Sequence, residues 1–269
     1  MKMERNKKII SILETLEEKH DIFILFAVET GSRLWGVESK NSDYDVRFVY
    51  KRDTESYLRI NPLATQINHI EENIDMVGFD MFKYFKLLMS SNPNAIEWLQ
   101  SNIIYIDRSV VKEKCLEFIT HKFNPIALYY HYKSMCKQNY MKYLKSGGLV
   151  TAKKYLYSMR GLTNAKWVAE KNSLPPILFE EAMKSGLLKK TVQEELTNLI
   201  AKKKGGFERE VMPNLWALES YIEDFLKKED VVESRKILDY TDIQEMIWEL
   251  CSFSGAVERR NEKEYGMKL

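Results

Sequence analysis

Charge of one sign is what this sequence has least of. Its 269 residues carry 41 Lys and Arg against 39 Asp and Glu, a formal net charge of +2. That balance excludes a chain that is basic or acidic throughout, so any nucleic-acid surface must be local. Cysteine is scarce as well. Cys115, Cys136 and Cys251 are far apart, odd in number and form no Cys-x-x-Cys pair, which argues against a disulfide framework and a structural zinc site. No run approaches the roughly 18 apolar residues that a membrane helix needs. The N-terminal MKMERNKKIISILETLEEKH is charged and amphipathic, without the apolar core or cleavage site of a signal peptide. A cytoplasmic, reduced protein with no membrane partner is expected.

What is present is a globular balance: 45% apolar and 30% charged residues. At about 150 residues per domain, the length suits one large domain or two ordinary ones. A helix is expected near 4–18, where Ile9, Ile12, Leu13 and Leu16 recur at helical spacing. The continuous apolar run IFILFAVET (22–30) fits a buried strand ending at Gly31. In 44–52, Tyr44, Val46, Phe48 and Tyr50 alternate with Asp45, Arg47 and Val49, which is strand periodicity. Strands are also expected at 66–71, 73–79 and 103–107, and helices at 80–91 and, opened by Asn-Pro, at 92–101. Beyond residue 108 the pattern turns wholly helical, near 109–121, 125–145, 150–171, 176–184, 190–204, 214–227 and 241–257. Gly147-Gly148, Pro175-Pro176 and Gly205-Gly206 punctuate it.

The chemistry is concentrated in GSRLWGVESKNSDYDVRFVY (31–50). Gly31 and Ser32 follow a buried strand, and Asp43 and Asp45 stand two apart at the start of the next. A period of two puts both carboxylates on one face. Two acids there repel each other unless a cation lies between them, and Mg²⁺ takes oxygen ligands while keeping waters and phosphates as its others. A third acid on a neighbouring strand would complete the set. Asp75, flanked by apolar Ile74 and Met76, is the candidate, with Glu71, Glu72 and Asp80 close by in sequence. Gly31 lets a phosphate approach the backbone, Ser32 and the following amides can donate to its oxygens, and Arg33 can add a charge-assisted bond.

An apolar strand, Gly31-Ser32, a ten-residue gap, Asp43-x-Asp45 on a strand and a later Asp75 on another together resemble the nucleotidyltransferase superfamily of the DNA polymerase beta type. GSRLWGVESKNSDYDVRFVY, VGFDMFKYFKLLMSSNPNAIEWLQSNIIY and KKYLYSMRGLTNAKWV followed by Pro-Pro are similar to one branch of it. That branch is the YcgL/RlaP-like family of nucleotidyltransferases associated with RNA ligases and RNA repair. The resemblance spans roughly residues 20–180.

It implies an α+β fold: a polymerase-beta-like catalytic domain with a small mixed β-sheet, then an all-α domain that binds substrate and nucleotide. The composition shift near residue 108 places these in 1–108 and 109–269. It also implies two-metal nucleotidyl transfer. Asp43 and Asp45 would hold two Mg²⁺ ions, with Mn²⁺ as a substitute, and Asp75 would serve as ligand or base. Gly31 and Ser32 would hold the β- and γ-phosphates of a nucleoside triphosphate, ATP among the candidates. Glu97-Trp98 belongs to the resemblance too, and Trp98 is expected to pack between the two halves.

The near-zero net charge hides a segment. Residues 129–171 hold nine bases and one acid, Glu170, a net +8, so the rest of the chain carries −6. Eight aromatics are interleaved, and lysines that follow phosphates beside rings that stack on bases are a pattern of RNA binders. Lys153, Tyr157, Arg160 and Asn164 share one helical face. In the resembling superfamily the helical domain commonly completes the nucleotide cleft, so Lys154, Tyr157 and Arg160 are the candidates for the triphosphate and base side. The bland reading is that single aromatics here are core, that Lys202-Lys203-Lys204 caps a helix end and that His131 has no special role. The leading expectation is nucleotidyl transfer to a hydroxyl on RNA, with an RNA ligase as a functional associate. A protein or small-molecule hydroxyl is the alternative acceptor. A non-catalytic RNA-binding accessory module is the alternative of another class.

Overall fold

A computed structural model describes residues 2–108, 110–145, 150–207, 210–234, 237 and 239–252. The first half alternates strands and helices: α1 (Lys2–His20), β1 (Phe23–Glu29), α2 (Gly31–Leu34), β2 (Tyr44–Lys51), α3 (Thr54–Tyr57), β3 (Gln66–Glu71), β4 (Ile74–Asp80), α4 (Met81–Met89), α5 (Pro93–Gln100) and β5 (Ile104–Asp107). The rest is helical: α6 (Val111–Lys122), α7 (Pro125–Asn139), continued by a π-helical turn at Tyr140–Leu144, α8 (Ala152–Lys171), α9 (Phe179–Lys184), α10 (Lys190–Lys204), α11 (Trp216–Lys227) and α12 (Tyr240–Ser252). Gly147-Gly148 and the stretch expected to end the last helix beyond Ser252 lie outside the described residues.

The five strands form one mixed sheet in the order β3-β4-β2-β1-β5. β2 and β4 are parallel and the other pairs antiparallel. The alternation in β2 sorts its side chains. Val46, Phe48 and Tyr50 pack with Ile9, Ile12, Leu13 and Leu16 of α1, and Ile74 and Met76 of β4 join them. Each such side chain, fully buried, contributes about 1.5–3 kcal/mol. The opposite face of β2 and β4 therefore carries Asp45, Arg47 and Val49 beside Asp75, Val77 and Phe79, and these face away from α1. β1 is apolar on both faces because both are covered: Ile24 and Ala27 join the α1 cluster, while Leu25, Phe26 and Val28 join the larger core.

The helix starts follow local chemistry. Asp80 caps α4, while Asn92 and Asn124 cap α5 and α7, each just before a proline. The composition change near residue 108 coincides with the end of β5. Beyond it, among the described residues, extended pairing is limited to the isolated bridge Thr151–Val211. The larger apolar core nonetheless runs through both halves, from Leu25 and Phe26 to Tyr132, Leu162 and Leu250. α7 and α8 approach closely at Gly161, where a Cβ would lie 2.8 Å from the Cys136 amide nitrogen and 2.9 Å from the Tyr132 carbonyl oxygen. No helix among the described residues is long and apolar enough to cross a membrane.

Candidate active site

The site begins where β1 stops. Thr30 turns the chain onto β2 by donating its amide (2.8 Å) and its hydroxyl (3.0 Å) to the Asp45 carbonyl. Gly31 follows at φ +65°, and a Cβ there would fall 2.0 Å from Asp45 Oδ2. The Asp45 carboxylate fills the space that the missing side chain leaves, so the glycine of the Gly-Ser pair and the second acid of the Asp-x-Asp pair form one packed unit. Beneath them Glu29, fully buried, accepts from the Asp45 amide (2.9 Å) and from the Tyr105 hydroxyl (2.5 Å). Burial pushes the Glu29 carboxyl up to about 7, against the pull of those two bonds. Asp45 is raised as well, first by burial and then by its neighbours Asp75 and Asp43, while Arg47 and Lys153 oppose the shift.

Asp75 is the register partner of Asp45 across the parallel β2–β4 pair, which puts both carboxylates on the same face. A guanidinium lies between them. Arg47 Nη2 donates to Asp45 Oδ1 (3.2 Å) and Asp75 Oδ2 (3.0 Å), and Nη1 donates to the carbonyls of Asp75 (2.9 Å) and Val46 (3.0 Å). The other nearby acids are spent elsewhere. Glu71 and Glu72 pair with Lys8, and Glu72 also with Arg5. Asp80 caps α4 and accepts from the Tyr57 hydroxyl. Among the described residues no three His, Cys, Asp or Glu side chains converge on a metal-sized site. Asp43 and Asp45 remain as two hard oxygen ligands, a set that fits Mg²⁺ when phosphates and water complete its shell.

A cavity of about 480 Å³ opens on these two acids and on Ser32. Its lining is also basic: Lys153 and Lys154 from the start of α8 and Lys203 from the end of α10, together with Tyr157. Lys202, Lys203 and Lys204 stand in the last turn of α10, as expected. Lys203 is in addition 1% exposed, and its amine donates to the Val37 carbonyl (2.7 Å), on the loop between Gly-Ser and Asp-x-Asp. No local signal separates it from Lys202 and Lys204. The contact is made 166 residues away in sequence.

Arg33 and Arg160 stand outside this cavity. Arg33 donates to the carbonyls of Ser42 (2.6 Å) and Asp43 (3.1 Å) and lies 3.8 Å over the Tyr44 ring, so it fixes the loop that presents Asp43. Arg160 is buried. Its Nη2 donates to Glu97 Oε1 (2.5 Å), and the guanidinium lies 3.7 Å over Trp35. Glu97 Oε2 in turn accepts from Trp35 Nε1 (3.0 Å). This pair ties the strand-bearing half to α8. Trp98 stacks on Phe79 (4.8 Å) and Tyr84 (5.6 Å), both within the first half. The aromatics of the basic segment divide likewise: Tyr129, Tyr132, Tyr140 and Tyr155 are core, and Tyr157 reaches the cleft. His131 is half-buried on α7.

The sequence matches the family described as RlaP, the RNA repair pathway DNA polymerase beta family, over residues 6–247. Uncharacterized protein YcgL of Bacillus subtilis (strain 168) is 32% identical over 233 residues, which cover 86% of this chain and 88% of that protein. The crystal structure of a nucleotidyltransferase-like protein from Exiguobacterium sibiricum 255-15 aligns over 94% of this chain and 92% of its own. Its sequence identity is 10% and its TM-score 0.31, a likeness too low to bear on the argument.

Proposed function

Because the chain belongs to the RNA repair pathway DNA polymerase beta family, a family of nucleotidyltransferases, we propose that it transfers a nucleoside monophosphate from a nucleoside triphosphate to a hydroxyl on RNA. One observation carries the reading: a single cavity is lined both by the acids Asp43 and Asp45 and by the bases Lys153, Lys154 and Lys203. A bare polyanion would be repelled by the acids, and a bare cation by the lysines. A triphosphate with its divalent metal satisfies both.

In this reading Asp43 and Asp45 hold Mg²⁺, with Mn²⁺ as a substitute and Asp75 as the third acid once Arg47 yields one of its two partners. When bound, the metal supplies Lewis-acid stabilisation of the phosphoryl oxygens and lowers the pKa of the attacking hydroxyl. The chain's own residues do the rest. Gly31 keeps the backbone open beside Asp45, and Ser32 donates its hydroxyl to a phosphate oxygen. Lys153 and Lys154 neutralise the charge that develops on the leaving pyrophosphate, and Lys203 holds the loop between Gly-Ser and Asp-x-Asp through the Val37 carbonyl. Glu29 fixes the Asp45 backbone from below, and Arg33 fixes the loop carrying Asp43. An RNA ligase is the expected functional associate, since a ligase acts on the strand ends that such a transfer alters.

The test is incubation with Mg²⁺, each labelled nucleoside triphosphate and RNAs of varied 3′ ends. Label on RNA is expected, lost in Asp43→Ala and Asp45→Ala. Label that persists in both variants would remove the assignment. Label on a polypeptide alone would change the acceptor. RNA binding without turnover, indifferent to both acids, would leave an accessory binding module.

A further inference from the structure

Asp45 and Tyr157 also line a second cavity, of about 490 Å³, whose lining includes none of Lys153, Lys154 and Lys203. Its walls have another chemistry. Trp35, Phe79, Trp98 and Tyr157 are among its lining residues, although Trp98 is itself stacked on Phe79 and Tyr84, and Arg160 covers a face of Trp35. Its charged groups beside Asp45 are Arg47, Lys83 and Glu97, and Glu97 is already bonded by Arg160 and Trp35. Lys83 donates to Gln66 Oε1 (2.7 Å), and its amine lies 4.2 Å from the centre of the Phe79 ring. Asn94, exposed in the first turn of α5, adds an amide that can donate and accept.

We infer that this cavity binds the terminal nucleoside of a single-stranded RNA acceptor, with the base among the rings and the sugar hydroxyl toward Asp45. The inference rests on the nucleotidyltransferase reading and deepens it. A transfer reaction needs donor and acceptor on two sides of the metal-holding carboxylate, and two cavities meet at Asp45. The volume falls within the ~300–1,000 Å³ of small-molecule sites, room for one unpaired nucleoside. A lining rich in aromatic side chains, with an exposed amide, suits a base whose faces are apolar and whose edge bonds hydrogen; proteins read single-stranded RNA ends with aromatic side chains and polar edge contacts. A cationic small-molecule acceptor would need free carboxylates, and here the one acid beside Asp45 is neutralised. A serine or tyrosine of a protein would leave most of the aromatic lining uncovered.

The experiment measures binding without turnover. A short single-stranded RNA and the same strand ending in an abasic ribose are titrated against the full chain in Mg²⁺ buffer without nucleotide. In parallel, a non-hydrolysable ATP analogue is titrated alone. The intact end is expected to bind about tenfold more tightly than the abasic end, the scale of one stacked base. Val77→Phe, which fills the cavity from the sheet, should bring that ratio close to one and leave the analogue's Kd unchanged. Asn94→Ala, a surface substitution that leaves the fold intact, should lower the ratio as well. Equal binding of the two ends by the wild type overturns the inference. So does a ratio untouched in the variants, or a loss confined to the ATP analogue, which would make the cavity the donor's base site. Failure of the parent reading shows elsewhere, as label transfer that does not depend on Asp43 and Asp45.

Discussion

Gly31 and Asp45 occupy one another's space, and this is the most exposed point of the site to substitution. Gly31→Ala must move a carboxylate that lies 2.0 Å from the new methyl group and hold an alanine at φ +65°, a strain of roughly 1–2 kcal/mol. Nucleotide transfer is expected to drop by about a hundredfold or more while far-ultraviolet circular dichroism stays native; a variant with wild-type turnover would mean that Asp45 need not stand where it does. Arg47 offers a second residue-scale prediction. Its guanidinium sits between Asp45 and Asp75 where a cation is needed. Arg47→Gln should lower the Tm measured in EDTA and enlarge the Tm gain on adding Mg²⁺, because two like charges are left for the ion to compensate. An unchanged Mg²⁺ response would show that Arg47 does not compete for that place. At this scale the sequence speaks clearly for Gly31, Ser32, Asp43 and Asp45, because the chemistry is local to one turn and one strand. Arg47 and Lys203 were silent for the opposite reason. The first acts through the β2–β4 register and the second through a helix far along the chain.

Elements are legible in the sequence where a pattern is long or a cap is explicit. Alternation marks β2, the apolar run marks β1, and Asn-Pro marks the start of α5. The single turns α2 and α3 are too short to show a period. Helix faces are a different matter. Lys153, Tyr157, Arg160 and Asn164 do share a face of α8, but sequence spacing does not say what a face meets. Its first turns meet the cleft, and from Arg160 onward it meets Glu97 and the core. The Arg160–Glu97 pair has both side chains at least nine-tenths buried. Removing one partner strands a buried charge, so Arg160→Met is expected to cost about 3–5 kcal/mol in chemical denaturation. Pairing it with Glu97→Leu should restore much of that loss. A raised KM for the triphosphate with stability unchanged would instead make Arg160 a nucleotide ligand.

For the whole molecule, the near-zero charge conceals an uneven distribution, but concentration along the chain is not concentration in space. Of the nine bases in 129–171, Lys153 and Lys154 line the cavity that holds Asp43 and Asp45, and Lys203 joins them from outside the segment. Lys133 and Lys166 are engaged with the Lys228 carbonyl and the Tyr221 hydroxyl. One core spanning both halves makes their packing part of the site, since it brings the lysines of α8 and α10 to the cavity that the acids line. That core also holds Cys115 and Cys136, whose thiols burial pushes up to about 12. A thiol reagent at pH 8 should label Cys251 alone in the native protein and all three cysteines after denaturation. Rapid labelling of Cys115 or Cys136 would mean that the core opens readily.

The most direct measurement is the rate of label transfer from a nucleoside triphosphate in Mg²⁺, comparing the wild type with Asp45→Asn, a substitution that keeps shape and removes charge. A carboxylate that holds the metal supplies several kcal/mol to the transition state. The expected result is therefore a fall on the order of a hundredfold or more in a variant that still melts cooperatively. Transfer at the wild-type rate from a folded Asp45→Asn protein would contradict the proposed active site.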